Sequence, residues 1–257
     1  MDGAAASIDE GGVGVGASLY LSEIDGSCCR HAAMATLDVF NSHLASRPLT
    51  AEELKLFLAS MAAFNRHTIG GIAILAGRLS DEILPLLPTK GHEIGAYVLD
   101  AAIDEYGLRE SVTHVELARN FAQYIGIPAR EVESRGNACA AAVALGDALY
   151  SWYRHEPVAF ALGVHAASEA TSVKEFMAWH DVFLKFPQYR FSRDTPQFEY
   201  LRAHFVHEPD HIHHTKTCIS RYLDVLPGHG ALLREGAERY LDLYQEMFHE
   251  LDTLIFK

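Results

Sequence analysis

The segment HFVHEPDHIHH, from His204 to His214, places five imidazoles and two carboxylates in eleven residues. Groups of this kind either move protons or hold a metal ion. On a helix, which turns ~100° per residue, Glu208 falls ~40° and His211 ~20° from His204. His204, Glu208 and His211 therefore form one stripe, His-x3-Glu-x2-His. A second stripe, His207, His211 and His214, spans a similar arc, and His213 points the other way. Neutral imidazole with carboxylate suits Fe, Mn or Zn. The bland alternative is a solvated face rich in histidine. One helix supplies only part of a coordination shell, so other elements must contribute further acids or imidazoles. Pro209 removes a backbone donor and disfavours helical geometry at Glu208, which predicts a kink.

The elements that must position these groups read as helices nearly throughout. Thr50-Ala-Glu-Glu53 is a capping box that opens the apolar-periodic stretch ELKLFLASMAAF. Residues 90–106 and 112–125 read as two helices, with Gly107 between them and Gly126 ending the second. Residues 137–153 are apolar almost all round, the pattern of a central helix. Pro157 opens a helix to about Ala170, and VKEFMAWHDVFLKF follows it. A long helix from Gln197 to about Val225 carries the histidine cluster. The last helix sets Leu233, Ala237, Tyr240, Leu241, Tyr244, Met247, Phe248, Leu251 and Leu254 on one face. Alternating period-2 runs are scarce. The prediction is a single all-α bundle over residues 18–257, preceded by a flexible tail, residues 1–17. GGVGVG in that tail follows no strand and opens no helix, so it is no dinucleotide loop.

The bulk properties exclude several classes. With 257 residues, 49% of them hydrophobic, the chain can bury a substantial core. The net charge of −13 and the lack of any Lys/Arg cluster argue against nucleic acid and against anionic membranes as partners. No apolar stretch approaches the ~18–20 residues that span a bilayer. Four cysteines, two adjacent and two scattered, make no disulfide framework, so a reducing, cytoplasmic setting is expected.

With His204, Glu208 and His211 on one face, the chain resembles the heme-oxygenase-like diiron oxidases and oxygenases. Their seven-helix fold is shared with thiaminase-like and pyrroloquinoline-quinone-synthase-like proteins. The last ligand helix of that family carries His-x3-Asp-x2-His, and Glu208 here replaces the aspartate. IDEYGLRESVTHVEL offers Glu105 and His114, which cannot share a face of one unbroken helix and need the break at Gly107. Asp104 and Glu110 are substitutes for Glu105. ALGVHAASEATSVKEF offers Glu169. The resemblance runs from HAAMATLDVF to the C-terminus, and PLTAEELKLFLASMAAFNRH is similar to the second helix of the fold.

The resemblance implies a metal ligand set of Glu105, His114, Glu169, His204, Glu208 and His211. It implies two Fe(II) ions, with Mn sharing their ligand preferences, and O2 as co-substrate. His165, His207 and Asp210 are candidates for orienting the ligands, and Arg119 and Arg202 for binding a substrate carboxylate. The expected substrate is a small molecule, foremost an aliphatic free amino acid. Its C–H cleavage would lead to desaturation, fragmentation or ring closure in natural-product biosynthesis. An external electron donor is compatible with such chemistry, and dimers are common on this fold. His31 sits where a heme oxygenase holds its iron, but one histidine is a weak signal beside a second complete ligand set. Two rival readings are a metal-free enzyme on the same fold, with Cys139 as its nucleophile, and a non-enzymatic metal-binding bundle.

Overall fold

The computed structural model describes residues 22, 25–26, 28–108 and 112–257, and of residues 205, 207 and 208 the backbone alone. The expected tail, residues 1–17, lies outside the described residues, as does Glu110. Ten α-helices form among them: α1 (Ala32–Leu44), α2 (Ala51–Asn65), α3 (Thr68–Ile83), α4 (Gly91–Glu105), α5 (His114–Tyr124), α6 (Ala129–Val132), α7 (Ala140–His155), α8 (Val158–Lys185), α9 (Glu199–Val225) and α10 (Gly230–Phe256). The described residues contain no strand, so the all-α expectation holds. The count exceeds seven because α6 is a single turn and because short breaks such as Arg66–His67 divide neighbouring helices.

The local rules explain most boundaries. The Thr50 hydroxyl accepts from the Glu53 amide at 3.3 Å, and the Glu53 carboxylate accepts from the Thr50 amide at 2.8 Å, so the capping box starts α2 as read. Helix α4 ends after Glu105 because Gly107 takes φ +68°, a conformation that favours glycine. The Thr113 side chain then caps α5, accepting from the Glu116 amide at 3.1 Å. Glu105 is thus the last residue of one helix and His114 the first of the next.

Two expectations are corrected. The break near Ala170 does not occur, and α8 runs 28 residues through it. Residues 164–185 contain no glycine or proline, and the Thr171 hydroxyl donates back to the Ser168 carbonyl at 3.0 Å, so its weak helix formers are accommodated. Leu254 leaves the buried face of α10 and is 54% exposed, because the final turn directs Ile255 into the core in its place. Helix α9 continues through Pro209.

Helix α8 is the axis of the bundle. It packs along α10 on one side and α9 on the other, while α4 joins α3 to α9 and α2 packs on α7. Glycines let α8 and α10 touch: a Cβ on Gly163 would stand 1.9 Å from the Leu233 carbonyl oxygen. Aromatic rings fill the core, with Phe57 edge-on to Trp179 at 4.9 Å and Phe40 against Phe248 at 5.1 Å. No helix among the described residues is long and apolar enough to cross a membrane.

Candidate metal centre

The break between α4 and α5 folds His114 back over Glu105. Their nearest atoms, His114 Nδ1 and Glu105 Oε1, are 3.1 Å apart. His204 of α9 completes the group, and one ligand atom from each of the three lies within 4.8 Å of the others. Both histidines are buried. The His204 ring is held on two sides. Its Nδ1 lies 2.7 Å from the Tyr200 carbonyl oxygen, to which it donates, and its face stacks on Phe176 at 3.8 Å. That bond leaves Nε2 as the nitrogen for a metal.

A second imidazole–carboxylate group lies two turns further along α9, where His211 meets acids of α8 and α4. His211 Nδ1 is 3.7 Å from Glu169 Oε2 of α8. Its other nitrogen, Nε2, is 2.8 Å from Asp104 Oδ2. The adjacent acids that end α4 therefore serve different imidazoles: Glu105 faces His114, and Asp104 holds His211. Glu169 is in turn steadied by His165, whose Nδ1 lies 3.4 Å from Glu169 Oε1 and whose Nε2 lies 3.3 Å from the Thr215 hydroxyl.

Other expected residues fall elsewhere. The side chains of Glu208 and His207 lie outside the described residues. Asp210 is exposed. Arg202 is exposed and pairs with Glu199 of its own helix, outside the cavity that the ligands line. Arg119 does line that cavity, paired with Glu133. The His31 imidazole caps α1, accepting from the Ala33 amide at 3.1 Å. Cys139 is buried at the start of α7 with its thiol pushed up by burial, and it does not line the cavity.

The cavity is about 350 Å³. Glu105, His114, Glu169 and His204 form part of its wall, and Phe57, Met61, Ile72, Phe176 and Trp179 form much of the rest. Its exposed lining residues, Arg66, Val115, Arg119, Glu133 and Arg135, mark the mouth. Sequence reasoning named Asp104 only as a substitute for Glu105 and passed over Glu175, which is buried and lines the same cavity. The available signal was the acid in an otherwise apolar helical run, VKEFMAW.

The donors fit iron. They are imidazole and carboxylate, the mixture that divalent iron accepts. The 3.1 Å between Glu105 and His114 is the spacing of adjacent ligands on one ion with bonds of ~2.1 Å. An all-helical bundle that brings such donors to an apolar cavity is an architecture able to house a metal centre between its helices. The chain belongs to the family of iron-containing redox enzymes, whose model matches residues 55–245 of the 257 and is the family that the histidine motif resembles. No match was found among curated proteins.

Proposed function

We propose that the protein is an O2-consuming, non-heme diiron oxidase of a small aliphatic molecule, foremost a free amino acid used in natural-product biosynthesis. The observation that carries this reading is the placement of Glu105, His114, His204 and Glu169 at one largely apolar cavity, with His211 beside Glu169 behind its wall. Glu105, His114 and His204 would hold one iron, and Glu169 and His211 the other, with Glu208 on the intervening turn of α9. Bound iron would supply the reduction of O2 and with it the oxidising power to break an unactivated C–H bond.

The chain's own groups do the rest. Asp104 accepts the proton of His211 Nε2, and the Tyr200 carbonyl accepts that of His204 Nδ1, so both rings present a fixed lone pair. Phe176 keeps the His204 ring from turning. The apolar walls exclude water from the substrate's carbon chain. At the mouth Arg119 is tied to Glu133 and Arg135 to Asp147, and Arg66 beside them would draw an anionic group.

The metal-free alternative requires a reactive Cys139, and burial with a raised thiol pKa argues against it. The test is anaerobic loading with Fe(II), then O2 uptake with a panel of free amino acids. Uptake that depends on one of them supports the oxidase. Bound iron without substrate-dependent uptake would make the protein a metal-binding bundle instead.

A further inference from the structure

A cluster of guanidinium groups gathers where α7 passes the cavity mouth. Arg66 stands in the break between α2 and α3 and lines the mouth. His67, next to it, sets its ring edge-on to Tyr150 of α7 at 4.7 Å. Arg154, one turn further along α7, lays its guanidinium over the same Tyr150 ring, 3.8 Å from the centre. Its Nη1 donates to the Tyr150 carbonyl at 3.0 Å. Its Nη2 is turned toward the first turn of α3, 4.0 Å from where a Cβ on Gly70 would stand. Arg135, also at the mouth, reaches Asp147, about one turn before Tyr150 on α7.

The charges of this cluster do not cancel. Arg135 gives two bonds of 2.9 and 2.6 Å to Asp147, and Arg119 across the mouth is tied to Glu133. Among the described residues, no carboxylate pairs with Arg66 or with Arg154. The His67 imidazole registers the excess. It is held below its ordinary range, first by burial and next by Arg154 and Arg66, against the pull of Asp147. In a chain of net charge −13, the cluster is a local reversal of sign.

The donor chemistry selects the ligand. A guanidinium is a planar fork of N–H donors, and a phosphate group has enough oxygens and charge to meet more than one fork. A carboxylate is satisfied by a single arginine, as Asp147 is by Arg135. Stacking on Tyr150 fixes the plane of the Arg154 fork in advance.

We propose that Arg66 and Arg154, with Arg135 beside them, bind a phosphate group at the mouth of the cavity. The phosphate belongs either to the molecule whose aliphatic part fills the cavity or to a separate ion held at the mouth. The site uses none of the iron donors, so the inference goes beyond the oxidase reading and stands or falls without it.

The test is calorimetric titration of the full chain at pH 8, where a phosphate monoester carries about two negative charges. The probes are hexyl phosphate, hexanoate, 1-hexanol and inorganic phosphate, and hexyl phosphate is repeated after anaerobic loading with Fe(II). Hexyl phosphate is expected to bind about tenfold more tightly than hexanoate, in line with a second and third exposed charge contact. 1-Hexanol should bind more weakly than either. Arg66→Ala and Arg154→Ala should each weaken hexyl phosphate about fivefold, with or without iron. Arg154→Lys, which keeps the charge and loses the fork, should fall between parent and alanine variant. Arg130→Ala, with a side chain 85% exposed and outside the cavity lining, should bind as the parent does. Arg66 is exposed, so its variant tests the site even where Arg154→Ala fails to fold. Hexanoate that matches hexyl phosphate overturns the proposal, and so does hexyl phosphate binding that survives Arg66→Ala. Within a supporting result, inorganic phosphate names the source. Binding much weaker than that of hexyl phosphate assigns the phosphate to the occupant of the cavity, and equal binding assigns it to a separate ion.

Discussion

Asp104 Oδ2 lies 2.8 Å from His211 Nε2, with both side chains buried. The contact fixes which nitrogen of His211 faces Glu169, because a carboxylate accepts from the protonated nitrogen and leaves the other as a lone pair. Asp104→Ala should therefore weaken iron binding about 10- to 100-fold while the helices stay folded. Asp104→Asn, whose amide oxygen can still accept, should lose less. Anaerobic competition against a chelator measures both. Unchanged affinity in the alanine variant would remove Asp104 from the centre.

The two donor sets share helix α9, with His204 in one and His211 in the other, so their loss should be separable. The parent chain is expected to bind two Fe(II), and His204→Ala and His211→Ala one each. The double variant should bind none at concentrations that load the parent. Metal analysis after anaerobic desalting gives the ratio. A parent chain that saturates at one iron contradicts the dinuclear reading.

The two halves of the centre were unequally legible in the sequence. His204 and His211 are seven residues apart on one helix, and helical periodicity alone places them on one face. Glu105 and His114 needed a chain reversal, which Gly107 announced and the resemblance then aligned. Asp104 was harder. Its partner lies 107 residues away on α9, and no local pattern says which of two adjacent acids turns toward which histidine. Glu175 was hidden for a similar reason, because its partner Tyr244 comes from a helix 69 residues further on. The fold was legible where capping and glycine acted, as at Thr50 and Gly107. It was misread near Ala170, where burial along α8 outweighs local propensity.

Away from the centre, Arg47 grips Glu53 with two bonds of 2.7 and 2.8 Å. That pairing, aided by the Thr50 cap, holds the Glu53 carboxyl down at about 2. Its folded pKa lies below the ~4.3 of a free glutamate, so its stabilisation is present above that value and is lost as pH falls toward the folded one. Glu53→Gln should lower stability by about 1 kcal/mol at neutral pH. The gap should close progressively below about pH 4. Urea unfolding of both chains between pH 7 and pH 3 tests this, and a gap that widens on acidification contradicts it.

Three of the four cysteines are buried and only Cys29 is exposed. The Cys28 thiol is pushed up to about 12, first by burial and next by Asp25, which suppresses the thiolate that an alkylating agent attacks. Iodoacetamide at pH 8 should label one cysteine per folded chain, at Cys29, and all four in denaturant. Peptide mass mapping locates the label. Rapid native labelling of Cys139 would revive the metal-free reading, since that reading requires a reactive thiol there.

The joint between α8 and α10 depends on two small residues. A Cβ at Gly163 would meet the Leu233 carbonyl oxygen at 1.9 Å, and one at Gly236 would meet that of Phe160 at 2.0 Å. Both obstacles are backbone, so no rotamer change relieves them, and the helices must move apart. Gly163→Ala gains helix propensity of ~1 kcal/mol but should still destabilise by ~1–3 kcal/mol net, because overpacking here opposes two long helices. Helix α8 also carries Glu169, so the shift should reach the metal centre. The expected pattern is a lower Tm together with weaker iron binding. Gly77, whose Cβ would meet nothing within 4 Å, is the control, and Gly77→Ala should leave iron affinity unchanged. If Gly163→Ala lowers Tm but binds iron as the parent does, the α8–α10 spacing does not govern the centre.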